Sequence, residues 1–125
     1  PFTPAVSLVN QLEKRLEKIQ DEGLENFRER YRQNTTILRK GMEKLGLKTF
    51  AQNPANCVTA VMTENVDASD VVKIMREKYH IEIAPSGGEL KTKLFRVGNY
   101  GNINQPEIDR FLEALQLTLE ELFQK

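Results

Sequence analysis

Arg96 is the residue whose type and setting most clearly suggest chemistry. It lies in the stretch KTKLFRVGNYG, residues 91–101, among apolar residues and just before a glycine-rich turn. A guanidinium is a planar fork of donors that fits a carboxylate through two parallel hydrogen bonds, so this residue suggests a place where a small acid binds. The alternative is an ion pair with one of the protein's own eighteen acidic residues, and composition alone favours that alternative.

The single histidine and the single cysteine are weaker candidates. His80 has no second ligand close by in the sequence, so we expect neither a metal nor a general-base role for it. Cys57 likewise has no neighbouring histidine or cysteine, and we expect a buried or half-buried structural thiol. Nucleophile elbows, paired metal ligands and dinucleotide fingerprints are absent from the sequence. The residues themselves therefore predict no catalytic group and no metal site.

Length and composition limit the class of protein. The 125 residues fit one domain, and 39% hydrophobic with 29% charged residues is ordinary for a globular protein without membrane spans. Eighteen basic residues balance eighteen acidic ones, which gives no electrostatic case for nucleic acid. One cysteine and no secretory signal favour a reducing, cytoplasmic location.

The elements that must position Arg96 follow from periodicity. Residues 93–97 form a predicted strand, with Phe95 and Val97 on one face and Leu94 and Arg96 on the other. Shorter strands are predicted at residues 47–50, 57–62 and 80–83. Amphipathic helices are predicted at residues 5–20, 24–45 and 67–79, and after a capping pair formed by Asn104 and Glu107.

This order of elements predicts an α+β fold. We expect a two-layer sandwich in which a small antiparallel or mixed sheet of three or four strands is covered by helices, with a leading helix pair. The first helix is unusual because Val6, Leu8 and Val9 point in different helical directions. One covering surface does not satisfy all three, so we expect this helix to be buried against something outside the chain.

The run GGELKTKLFRVGNYG, residues 87–101, resembles the C-terminal signature of class V, fold type I pyridoxal-phosphate aminotransferases. The similarity is greatest to the serine–pyruvate and alanine–glyoxylate group. Residues 2–8, FTPAVSL, and residues 22–26, EGLEN, are also similar to this family, in its order and spacing. The resemblance implies that residues 1–125 are a single domain, the C-terminal small domain of a longer enzyme whose large cofactor-binding domain is absent from the chain.

The resemblance also implies roles for two residues. Arg96 matches the arginine that grips the substrate α-carboxylate, and Thr3 lies in the segment that runs close to the cofactor phosphate of the neighbouring subunit. The lysine that binds pyridoxal phosphate belongs to the large domain, so the resemblance implies no catalytic residue here and an inactive isolated chain. Asn99 and Tyr100 depart from the family, which often has histidine and methionine there, and this leaves the fine substrate preference open.

The implied activity moves an amino group between alanine or serine and a 2-oxo acid such as glyoxylate or pyruvate, in a homodimer. An alternative is a self-standing α+β module that binds a small carboxylate through Arg96 and serves a binding or regulatory role. A desulfurase or lyase relative is a third possibility. The position of Cys57 on a predicted strand argues against desulfurase chemistry.

Overall fold

A computed structural model describes residues 4–124 of the chain. Its helices and strands follow one another in the predicted order. The helices are α1 (Val6–Glu22), α2 (Leu24–Lys44), α3 (Ala68–Tyr79) and α4 (Gln105–Phe123), and the strands are β1 (Lys48–Thr49), β2 (Val58–Met62), β3 (Ala84–Pro85) and β4 (Leu94–Gly98). The leading helix pair and the α+β class are thereby confirmed.

The four strands form one sheet in the order β1-β2-β4-β3, and every neighbouring pair is antiparallel. The antiparallel form of the predicted sheet is therefore the correct one. The long central pair, β2 with β4, sets the register by placing Val61 opposite Phe95 and Ala60 opposite Arg96. Because side chains alternate along each strand, this register assigns Phe95 and Arg96 to opposite faces of the sheet.

Within the unit that starts at Tyr31, helices α3 and α4 and the second part of α2 cover one face of the sheet, as expected for a two-layer sandwich. The core on that face combines strand residues with apolar side chains of α2, α3 and α4, including Val61, Phe95, Val97, Leu38, Met42, Val71, Met75, Ile108 and Leu115. Phe95 is fully buried, and burying an aromatic side chain of this size is worth about 2–3 kcal/mol. The opposite face, which carries Arg96, is less completely covered.

Two helices begin with side-chain caps. The Asp67 carboxylate accepts a hydrogen bond from the Ser69 amide, 2.7 Å away, at the start of α3. At the start of α4 the Asn104 side chain accepts from the Glu107 amide, and the Glu107 carboxylate accepts from the Asn104 amide. This capping box satisfies two otherwise free amides and confirms the predicted pair.

The prediction of a strand at residues 80–83 is wrong. His80 ends α3 in the left-handed conformation, with φ at 54°, and the Ile81 amide donates to the Met75 carbonyl, 3.0 Å away. The helix end thus uses the amide that a strand would need for pairing. Pairing with β4 starts later, at Ala84, and extends over two residues only.

The described residues form two compact units, one up to Arg30 and one from Tyr31 onward. In the first unit, Gly23 separates α1 from α2 with φ at 84°, a conformation that favours glycine. Nearby, the Arg30 guanidinium donates two hydrogen bonds to the Glu22 carboxylate, at 2.7 and 2.9 Å. The guanidinium carbons of Arg15 and Arg30 lie 5.3 and 5.4 Å from the centroid of the Phe27 ring.

Helix α1 leaves its apolar residues exposed. Val6, Leu8, Val9, Leu12 and Leu16 are each between 55% and 64% exposed. This exposure is compatible with the expectation that the helix is buried against something outside the chain, and that expectation stays a prediction. Among the helices of residues 4–124, none combines the length and the apolar composition that a membrane crossing needs.

Candidate functional site

Arg96 stands on the sheet face opposite the helical layer. Its neighbours across the sheet are two alanines, Ala60 on β2 and Ala84 on β3. Both of these directly opposed residues are small, so neither crowds the arginine stem. The Arg96 side chain is exposed and is the only charged group that β4 carries on this face.

The Arg96 guanidinium is oriented by the edge strand. Its Nη2 donates a hydrogen bond to the Pro85 carbonyl oxygen, 2.9 Å away. Within residues 4–124 no carboxylate oxygen lies within 4.0 Å of this guanidinium, so the internal ion pair that composition favoured is not formed there. The remaining N–H donors of the fork are available to an outside acceptor such as a carboxylate.

Tyr100 lies on the same face of the sheet as Arg96. Gly98, two residues after Arg96, shares that face by alternation and has no side chain of its own. The Tyr100 ring occupies the space instead: a Cβ atom built on Gly98 would lie 3.0 Å from Tyr100 Cε1. The ring is 67% exposed, and its hydroxyl has no hydrogen-bond partner in the described part of the chain.

A shallow depression of about 430 Å³ lies beside these residues. Tyr100, Gly98, Ala84 and Pro85 line one part of it, and Arg76 and Glu82 line another. The Arg76 Nε lies 2.8 and 3.0 Å from the two Glu82 carboxylate oxygens. This hydrogen bond raises the pKa of Arg76, and the pair neutralises its own charges. Unlike Arg76, Arg96 has no carboxylate partner among residues 4–124.

The turn after β4 is anchored on both sides of Tyr100. The Gly101 amide donates to the Tyr31 hydroxyl, 2.8 Å away, and that hydroxyl lies 3.1 Å from the Gly101 carbonyl oxygen. On the other side, the Asn99 amide donates to the Cys57 carbonyl, 2.9 Å away. Tyr100 is therefore an exposed residue whose backbone is fixed by its two neighbours.

The Asn99 side chain reaches the second helix. It is only 3% exposed, and its Nδ2 donates to the Thr35 hydroxyl, 2.6 Å away. The Thr35 hydroxyl also lies 2.7 Å from the Tyr31 carbonyl and 2.6 Å from the Asn56 carbonyl, and it donates to one of them at a time. Asn99 Oδ1 is buried and has no hydrogen-bond partner within the described residues.

The structure was also compared with the sequence-based predictions for Cys57, His80 and Thr3. Cys57 is exposed, not buried, because β2 begins only at Val58. His80 is exposed at the end of α3. Thr3 lies outside the described residues. Among residues 4–124, no group of three or more histidine, cysteine or acidic side chains is arranged to hold a metal ion.

Sequence reasoning did not assign a role to Tyr31, Thr35 or Tyr100. Tyr31 contacts Gly101, which lies 70 residues later in the sequence. No local sequence pattern predicts such a contact. One signal for Tyr100 was its departure from the family pattern. The glycine before it in β4 was a second hint, because a strand glycine often marks close approach of another group.

Fold and site together define a small α+β domain that carries an exposed arginine, Arg96, on the open face of its sheet. The family model described as aminotransferase class I and II matches residues 4–115. The chain therefore belongs to the aminotransferase family, and the resemblance to its class V, fold type I members is confirmed by the relatives it matches.

Among those relatives, an uncharacterised aminotransferase of Methanocaldococcus jannaschii is 33% identical over 125 residues, which are 98% of this chain and 32% of that protein. The serine–glyoxylate aminotransferase of Arabidopsis thaliana is 30% identical over 126 residues, covering 98% of this chain and 31% of its own length. The crystal structure of alanine–glyoxylate aminotransferase from Nostoc sp. superimposes with a TM-score of 0.87 at 29% identity, covering 94% of this chain and 32% of that one. The chain thus spans about a third of the length of these relatives.

Pyridoxal phosphate is the cofactor that this family implies, and the described residues do not fit its covalent attachment. A lysine that binds an aldehyde cofactor needs a desolvated setting that favours its neutral form. Every described lysine is instead exposed, namely Lys14, Lys18, Lys40, Lys44, Lys48, Lys73, Lys78, Lys91 and Lys93. The glycine pair at residues 87–88 leads into the three-residue turn Gly88–Leu90 and not into a long helix that would receive a phosphate.

Proposed function

We propose that this chain is the C-terminal small domain of a longer pyridoxal-phosphate-dependent aminotransferase, in which Arg96 binds the substrate α-carboxylate. The observation that carries the proposal is the Arg96 fork, exposed on the open sheet face and without a carboxylate among residues 4–124. Its hydrogen bond to the Pro85 carbonyl fixes the plane of the guanidinium before a substrate arrives. A fork that is already oriented loses less entropy on binding a planar carboxylate.

The substrates we propose are a small amino acid, alanine or serine, and a 2-oxo acid such as glyoxylate or pyruvate. The names of the serine–glyoxylate and alanine–glyoxylate relatives support this choice. The cofactor supplies the electron sink for amino transfer when it is bound by the rest of the enzyme. Arg96 binds and orients the acid, so that its α-carbon is held in one position. The isolated chain is expected to be inactive.

Replacement of Arg96 by lysine in the full-length enzyme tests this role. A lysine keeps the charge but does not make the two-pronged contact, so we expect kcat/KM for every small acid substrate to fall by an amount worth about 2 kcal/mol. Arg110→Lys is the matched control, because Arg110 is also exposed and donates to a backbone carbonyl, that of Tyr79. Equal specificity constants for the wild type and the Arg96→Lys variant would contradict the assignment.

We further propose that the large domain covers α1. Leu8 and Val9 are adjacent and therefore about 100° apart around the helix, so covering both requires contacts on more than one side. We expect Leu12→Asp to destabilise the full-length protein and to leave the stability of the isolated chain almost unchanged. Leu117→Asp, at an exposed position of α4, is the control. An equal effect of Leu12→Asp on both proteins would contradict this contact.

Three finer expectations accompany the proposal. The full-length enzyme is a homodimer, Thr3 contacts the cofactor phosphate of the neighbouring subunit, and the protein is cytoplasmic. Thr3→Ala in the full-length dimer tests the second expectation through the dissociation constant of pyridoxal phosphate, which we expect to rise. An unchanged dissociation constant would remove Thr3 from the site.

The second candidate function is a self-standing module that binds a small carboxylate. The exposed Arg96 fork supports it as well as it supports the aminotransferase, so a direct measurement must separate the two. Calorimetry of the isolated chain with acetate, pyruvate and alanine does this. The aminotransferase proposal predicts little heat, because half of the site lies in the large domain, whereas a self-standing module predicts saturable binding.

A further inference from the structure

Tyr100 stands out as an exposed aromatic residue on an anchored backbone. Its neighbours Asn99 and Gly101 are held by the Cys57 carbonyl and by the Tyr31 hydroxyl. An exposed tyrosine in a mobile turn would leave its ring position open. Here both flanking residues fix where the ring projects, and it projects onto the sheet face that carries Arg96.

The absence of a side chain at Gly98 is what allows this position. Along a strand, residues two apart are separated by about 7 Å and share a face, so the ring lies one side-chain position away from the Arg96 stem. Any larger residue at 98 would occupy the space that Tyr100 Cε1 fills. The Tyr100 ring, from the turn after β4, therefore occupies the space that a side chain at position 98 would fill.

Pro85 connects the ring to the guanidinium. Its carbonyl accepts the hydrogen bond from Arg96 Nη2, and the same residue lines the depression that Tyr100 also lines. Arg96 itself does not line this depression, and its Nη2 points toward Pro85. An acid held by the remaining donors of Arg96 therefore meets the Tyr100 ring only when it extends along β4 toward Gly98. Arg76 and Glu82, which bound the depression elsewhere, neutralise each other and offer no second charge for a dicarboxylate.

We propose that Tyr100 is a specificity-determining residue that limits the length of the acid bound by Arg96. This inference rests on the proposed function. The ring acts as a wall, so acids with two or three carbons fit beside it and longer unbranched acids meet it. The relevant property in this proposal is the bulk of the ring, which Tyr100→Phe keeps and Tyr100→Ala removes.

The test compares two 2-oxo acids, glyoxylate and 2-oxohexanoate, with variants of the full-length enzyme. We expect Tyr100→Ala to raise the ratio of kcat/KM for 2-oxohexanoate over that for glyoxylate by about tenfold, which is the scale of discrimination by pocket size. Tyr100→Phe should leave the ratio unchanged, because the ring remains. Phe50→Ala, an exposed aromatic residue elsewhere on the chain, should also leave it unchanged.

A binding measurement repeats the comparison without turnover. Calorimetry with acetate and hexanoate should show tighter hexanoate binding in the Tyr100→Ala variant than in the wild type, with acetate binding unchanged. A ratio within twofold of wild type in both measurements would overturn the role of Tyr100.

The Arg96→Lys variant separates this failure from a failure of the proposed function. If Arg96→Lys weakens all acids while Tyr100→Ala leaves the length ratio unchanged, only the inference about Tyr100 fails. If Arg96→Lys leaves all acids unaffected, or if the wild type transfers no amino group to any 2-oxo acid, both fail together.

Discussion

Gly101 and Tyr31 are 70 residues apart in the sequence, and the Tyr31 hydroxyl contacts both the amide and the carbonyl oxygen of Gly101, at 2.8 and 3.1 Å. A phenolic hydroxyl is both donor and acceptor, so one side chain satisfies two polar groups of the same residue. Gly101 has φ at 104°, in the region that favours glycine, which leaves its backbone groups turned toward the helix. This contact holds the turn that carries Tyr100 against α2.

We expect Tyr31→Phe to destabilise the chain by about 1 kcal/mol, because a partly buried amide and carbonyl lose their common partner. Urea unfolding of the 125-residue chain measures this difference. Tyr100→Phe is the control, since it removes a hydroxyl without a partner in the described part of the chain. Equal midpoints for the two variants would show that the Tyr31 hydroxyl contributes nothing to the turn.

Thr35→Val tests the buried connection between Asn99 and α2. The substitution keeps the shape and removes the hydroxyl that accepts from Asn99 Nδ2, so a buried donor is left without its partner. We expect a loss of about 1–3 kcal/mol in the free energy of unfolding. Thr36→Val, the next residue on the helix, is exposed and its hydroxyl donates only to the Arg32 carbonyl. A loss at Thr36 as large as that at Thr35 would contradict this explanation.

Gly41 marks the close packing of α2 against α4. A Cβ atom at this position would lie 2.3 Å from Leu112 Cδ1, so Leu112 must move when Gly41 is replaced by alanine. We expect Gly41→Ala to cost about 1 kcal/mol or more, although alanine is the better helix former by about 1 kcal/mol.

A double-mutant cycle with Leu112→Ala separates these two contributions. In the Leu112→Ala background the clash is absent, so Gly41→Ala should become stabilising by about 1 kcal/mol in urea unfolding. If Gly41→Ala has the same effect in both backgrounds, the contact with Leu112 is not what makes glycine necessary.

The parts of the fold that follow local rules were predictable from the sequence. The capping box of Asn104 and Glu107 and the apolar face of α4 are set by spacings of three and four residues. The alternation that separates Phe95 from Arg96 is equally local, and the sheet register confirms it. The predicted strand at residues 93–97 differs by one residue from the observed strand β4, which runs from Leu94 to Gly98.

Features that depend on distant contacts were not predictable in this way. Residues 80–83 alternate polar and apolar residues as a strand does, because Ile83 is buried in the core. They do not form a strand, because the Ile81 amide bonds to the end of α3. The exposure of Cys57 depends on where pairing of β2 with β4 stops. The Tyr100 ring lies against Gly98, in a turn whose residues Asn99 and Gly101 bond to Thr35 and Tyr31, far away in sequence.

The ion pair of Glu22 and Arg30 gives a pH-dependent prediction. The hydrogen bond from Arg30 holds the pKa of Glu22 below its usual value, so the charged form is favoured in the folded chain. A lowered folded-state pKa means that the stabilisation is complete above the usual glutamate pKa of about 4.3 and is lost as the pH falls through the folded value. We therefore expect Glu22→Gln to be less stable than wild type at pH 7, and we expect this difference to be smaller at pH 3.

Thermal unfolding followed by circular dichroism at the two pH values measures this effect. Glu25→Gln is the control, because the ion pair of Glu25 with Arg28 is far more exposed and should contribute less at pH 7. Raising the salt concentration should also reduce the difference between wild type and Glu22→Gln at pH 7, since the pair is only partly shielded from solvent. A difference that persists unchanged at pH 3 would show that Glu22 acts through packing of its side chain and not through its charge.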